Sequence, residues 1–85
     1  MRVTVQLFAR LREIAGRQTL EVDVSDAATV ADVWQAVAAG TPALAPFASS
    51  VSCAVNAEFA RPAARVHAGD DIAFLPPVSG GAPTT

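Results

Sequence analysis

The stretch Gly69-Asp70-Asp71-Ile72-Ala73-Phe74-Leu75-Pro76-Pro77-Val78-Ser79-Gly80-Gly81 decides how the chain is read. Gly69-Asp70 is a turn signal, and Ile72 and Phe74 alternate with Ala73 and Leu75 as a half-buried strand does. Pro76-Pro77 ends that strand, because proline has no N–H to give to a ladder. Beyond it, Val78-Ser79-Gly80-Gly81 offers an extended start and then two residues without side chains, a shape that can enter a narrow channel. We therefore expect a folded domain over residues 1–77. A flexible tail over 78–85 should carry Gly80-Gly81 and the extension Ala82-Pro83-Thr84-Thr85.

Working outward from the last strand, Val3, Val5 and Leu7 alternate with Arg2, Thr4 and Gln6, which predicts a first strand and places Phe8 on its polar face. Leu11, Ile14 and Ala15 follow at helical spacing, and Gly16 can take the positive φ that stops a short helix. Leu20, Val22 and Val24 predict a second strand, paired to the first as an antiparallel hairpin. Thr29 precedes Val30, Val33, Trp34 and Val37, with Asp32 three residues after it and Gly40 at the end, so this is the one long helix, with Trp34 in the core. Thr41-Pro42 starts a short turn carrying Leu44 and Phe47, limited by Pro46. Val51, Cys53 and Val55 alternate again, Asn56-Ala57 reads as a turn, and Phe59 to Arg61 return as a short strand before Pro62. This order is α+β, a mixed sheet packed on one main helix. With the first and last strands side by side, one face of the sheet rests on Trp34 and the other meets solvent, the arrangement of the β-grasp (ubiquitin-like) roll.

Composition narrows the function. A chain of 85 residues builds one small core, and the apolar 52% is organised by the periodicities above. No run of about 18 apolar residues occurs, and the N-terminus enters a strand directly, so the expectation is a cytoplasmic protein with no membrane partner. The single cysteine, Cys53, forms no internal disulfide and cannot supply an iron–sulfur cluster; its phase with Val51 and Val55 makes it a small core residue. There is no lysine, the six arginines look scattered, and the net charge is −2, which gives nucleic acid no footprint. The acidic excess would attract a basic partner. His67 stands alone in a loop with no partner evident, and Asp70 and Asp71 read as turn residues. No metal site and no enzyme site are expected within the chain.

The chemistry lies in the tail. A backbone carboxylate at a glycine tip, once activated as an acyl adenylate, accepts sulfur to become a thiocarboxylate. Gly-Gly near a C-terminus, taken alone, also fits a polar end with no chemistry. Three segments together are more specific: Phe8-Ala9-Arg10-Leu11-Arg12-Glu13-Ile14-Ala15-Gly16, Ala54-Val55-Asn56, and Gly69 through Gly81. They resemble the MoaD/ThiS family of sulfur carriers over about residues 2–81. Within it they are nearer the MoaD type, the small subunit of molybdopterin synthase, because of the Phe-Leu-Pro-Pro-Val lead-in.

The resemblance implies a cycle. A MoeB-like adenylating enzyme uses ATP on Gly81, with Gly80 giving the tail its freedom; a sulfurtransferase supplies sulfur; and the thiocarboxylate enters a MoaE-like large subunit in a heterotetramer, where cyclic pyranopterin becomes the dithiolene of the molybdenum cofactor. The chain itself binds no cofactor in this scheme. It also implies a docking surface at Phe8, Phe59 and Leu75 flanked by Arg12, in keeping with strand parity, which leaves Phe8 and Leu75 off the core phase. Family members end at the second glycine, whereas residues 82–85 follow Gly81 here, so a trimming peptidase is expected to expose its carboxylate. Two rival readings are a sulfur carrier for thiamin or cysteine synthesis and a β-grasp interaction module that is never adenylated.

Overall fold

The computed structural model describes residues 1–77, and the expectations for Gly80 and Gly81 fall outside the described residues. The chain forms β1 (Arg2–Leu7), α1 (Ala9–Ala15), β2 (Thr19–Asp23), α2 (Val30–Gly40), a 3-10 helix (Pro42–Phe47), β3 (Ser52–Val55), β4 (Glu58–Ala60) and β5 (Asp71–Leu75). The five strands make one mixed sheet in the order β2-β1-β5-β3-β4. β1 and β2 form the expected antiparallel hairpin, with Val3 opposite Val22 and Val5 opposite Leu20. The last strand lies between the first and the third, parallel to β1 and antiparallel to β3.

Local chemistry explains the boundaries. Thr29 and Asp32 cap α2 reciprocally: the Asp32 N–H donates to Thr29 Oγ1 at 3.3 Å and the Thr29 N–H donates to Asp32 Oδ2 at 2.9 Å. Such a cap contributes about 1 kcal/mol. Gly16 closes α1 with φ 75, returning its N–H to the Arg12 carbonyl. Pro42 pre-sets the start of the 3-10 helix, and Pro46 within it leaves no donor for longer helical pairing. Asn56 and Ala57 take φ 51 and 73, the mirror-image turn whose twist suits two tightly joined strands.

The side of the sheet facing α2 carries Val3, Val5, Leu7, Ile72 and Phe74, each no more than 1% exposed. Val33, Trp34 and Val37 meet them from α2, and Leu11, Leu44 and Val66 close the ends. Trp34 and Phe74 pack edge to face, with ring centroids 5.0 Å apart at 64°, the geometry the ring quadrupoles favour. Trp34 Nε1 is buried without a hydrogen-bond acceptor among the described residues. Cys53 is buried as its phase predicts, and loss of solvent raises its thiol pKa, which keeps it a protonated packing group. No helix among the described residues is long and apolar enough to cross a membrane, and no group of three or more His, Cys, Asp or Glu among them is placed to hold a metal.

Candidate functional site at the root of the tail

The parallel pairing of β1 with β5 builds the site. Strands running the same way end at the same edge of the sheet, so the chain leaving β1 through Phe8, Ala9 and Arg10 emerges beside the chain leaving β5 through Pro76 and Pro77. The Phe8 N–H donates to the Phe74 carbonyl at 3.3 Å, tying the two exits together. Pro76, Pro77, Ala9, Arg10 and Phe47 line a groove of about 420 Å³ at this edge. Ala9 is held at φ 50, left-handed backbone that disfavours a side chain, and so the chain turns sharply from strand to helix. No sequence signal announced that strain, since alanine is not a residue that seeks it.

The expected docking residues are only partly assembled. Cross-strand partners share a face, and Phe59 lies opposite Ala54, Ala54 opposite Ala73, and Ala73 opposite Gln6. Leu75 and Phe8 continue the phase of Ala73 and Gln6. Phe8, Leu75 and Phe59 therefore stand on the open face of the sheet, with the small Ala54 and Ala73 between them. Phe59 is 85% exposed and Phe8 36%, but Leu75 is only half-buried, which corrects the expectation that its side chain lies bare. Leu75 sits in β5 with strands on both sides, Ser52 being its partner on β3, and those neighbours cover part of it. Arg12 is exposed on α1 rather than on the sheet, a helical turn beyond Phe8.

The start of β5 is fixed by polar groups that stand apart along the chain. Asn56 Nδ2 donates to Asp70 Oδ1 at 3.1 Å, and Asn56 Oδ1 accepts the Asp71 N–H at 3.0 Å. Asp70 Oδ2 accepts the His67 N–H at 2.8 Å and lies 3.7 Å from His67 Nδ1, so His67 does have a partner, supplied by the turn it precedes. The Asn56 amide first, and the His67 N–H second, hold the Asp70 carboxyl below the usual aspartate range. A depressed carboxyl pKa stabilises the fold above the unfolded value and loses that contribution as pH falls through the folded value. Asp70→Asn is therefore expected to lower the thermal midpoint at pH 7, with the gap to wild type closing as pH drops below about 4. A gap unchanged by pH would assign the effect to shape instead of charge.

A family model described as the ThiS family matches residues 5–81. The chain belongs to the ThiS family. The small archaeal modifier protein 1 of Haloferax volcanii is 38% identical over 89% of this chain and 97% of its own length. A molybdopterin synthase sulfur carrier subunit of Chlamydomonas reinhardtii is 34% identical over 95% of this chain and all of its own. The crystal structure of SAMP1 from Haloferax volcanii superposes with a TM-score of 0.86 at 36% identity, covering 95% of this chain and 100% of that one. The ubiquitin-like β-grasp roll expected from the strand order is thus the fold shared with this relative. The family match runs through Gly81 and leaves residues 82–85 beyond it.

Proposed function

We propose that the chain is the sulfur carrier subunit of molybdopterin synthase, working through the carboxylate of Gly81 after removal of residues 82–85. The observation that carries this reading is the family match over residues 5–81, ending at Gly81, joined to likeness with a molybdopterin synthase sulfur carrier subunit. In the cycle, the Gly81 carboxylate attacks the α-phosphorus of ATP on a MoeB-like enzyme and pyrophosphate leaves. The terminal sulfur of a persulfide on a sulfurtransferase then displaces AMP to give an acyl disulfide, and a second thiol attacks the sulfurtransferase sulfur, forming a disulfide with it and releasing the thiocarboxylate. In a MoaE-like large subunit the sulfur replaces an oxygen on a carbon of cyclic pyranopterin, that C–O bond breaking as the C–S bond forms, and water hydrolyses the acyl–sulfur bond to restore the carboxylate. Phe8, Phe59 and Leu75 would meet the large subunit, with Arg12 at the rim. The chain contributes the donor and the partner contributes the catalytic groups.

A second reading has an observation behind it, since a relative of similar identity is named a modifier protein. The same activated carboxyl, attacked by a protein amine instead of by sulfur, would attach the chain to a target. The test is to supply a Gly81-ending thiocarboxylate form to a MoaE-like subunit with cyclic pyranopterin. Formation of the dithiolene product in step with loss of the thiocarboxylate is expected. Intact thiocarboxylate with that acceptor, alongside covalent conjugates in a cell extract given ATP, would overturn the synthase reading in favour of the modifier.

A further inference from the structure

The arginines are less evenly spread than their spacing along the chain suggests. Residues 9–17 carry three arginines against the single acid Glu13, while the remaining charges are three arginines against seven carboxylates. Among the described residues, Arg2 alone of the six arginines has an ion-pair partner, at 3.3 Å from Glu21 and 3.2 Å from Asp23. Arg10 is exposed and has no ion-pair partner among the described residues, and no acid accompanies it in the first turn of α1, where a cation opposes the helix dipole. No ion pair among the described residues accounts for its charge. Its place is nevertheless defined: the left-handed Ala9 turns the chain just before it, and it lines the groove with Pro76, Pro77 and Phe47 at the point where the tail departs.

We propose that Arg10 and this groove form a seat for a carboxylate side chain of the enzyme that activates the tail, so that the mouth of that enzyme's tail channel is acidic. The proposal rests on the reading of Gly81 as the activated group. A planar guanidinium beside proline and aromatic walls pairs with a carboxylate through two parallel hydrogen bonds, and the apolar walls limit competition from water. One such cation is too little to hold a polyanion, which argues for a single carboxylate over a nucleic-acid backbone. Gly81 lies four residues beyond Pro77, at most about 14 Å of chain, so a partner that holds Gly81 must bring its channel rim to this edge of the sheet. Charge complementarity at a rim acts on encounter more than on the chemical step.

The test uses the chain ending at Gly81 with ATP and a MoeB-like enzyme, and measures adenylation at low and at physiological ionic strength. Arg10→Glu is expected to raise KM about tenfold with kcat unchanged and to weaken the salt dependence, with Arg10→Gln intermediate. Arg17→Glu, the same change of charge on a residue that lines a different groove beside Leu20 and Glu21, is expected to behave as wild type. Equal shifts for Arg10→Glu and Arg17→Glu, or none for either, would overturn the seat while leaving the function standing. No adenylation of the unsubstituted Gly81-ending chain would remove both.

Discussion

A chain cut after Gly81 is expected to form an acyl adenylate with a MoeB-like enzyme and ATP, and to gain sulfur in place of oxygen once a sulfur source is added. The chain ending at Thr85 should stay at its starting mass. In the longer chain the Gly81 carbonyl belongs to an amide with Ala82 and has no oxygen free to attack phosphorus. The only backbone carboxylate at the end is that of Thr85, displaced from Gly81 by four residues, up to about 14 Å of chain. Misplacing a reacting atom by a single ångström can cost about a hundredfold, so this displacement abolishes the reaction. Replacing Gly81 by valine in the cut chain should likewise reduce adenylation by at least about a hundredfold, since a β-branched side chain must then enter a channel shaped for none. Intact-mass spectrometry reads both results. Loading of the Thr85-ending chain at the same rate would remove Gly81 from its role.

The second large effect concerns stability. Phe74→Ala is expected to cost about 4 kcal/mol, the usual range for deleting a buried aromatic ring. Phe74 is fully buried at the centre of the sheet, between Leu7 and Cys53, and it carries the edge-to-face contact with Trp34. A domain of this size has a total stability of only about 4–12 kcal/mol, so the variant should lose at least about a third of it. Urea titration followed by the fluorescence of the single tryptophan measures it directly. Phe74→Leu, which keeps most of the volume, should cost clearly less. A loss under about 1 kcal/mol for the alanine variant would show that the ring is not a centre of the core.

The parts of this fold that depend on near neighbours were legible in the sequence. Strand alternation, the Thr29 to Asp32 cap, the turn at Asn56-Ala57 and the halt at Pro76-Pro77 each record chemistry acting over a few residues, and each is where the spacing placed it. Long-range pairing is another matter. Thr4 faces Asp71 in the β1 to β5 ladder, and no local pattern states that register, so the meeting of Phe8 and Arg10 with the tail root came only from the β-grasp arrangement as a whole. The partner of His67, the strain at Ala9 and the burial of Val66 likewise depend on what packs against them. For the docking residues, parity gave the face of Phe8 and Leu75 but not how deeply flanking strands would cover Leu75.

The strand that carries the tail is bonded along both edges, to β1 on one side and β3 on the other. Seen as a mechanical part, this makes β5 the anchor of a tow line. Pulling the chain beyond Pro77 out of a narrow channel loads two rows of hydrogen bonds lengthwise, in shear, so the rows share the force. An edge strand such as β4 would be loaded on one side only. In the proposed cycle, where the tail is drawn out of one enzyme and inserted into another, this anchorage would protect the domain from being unravelled by the very segment through which it works.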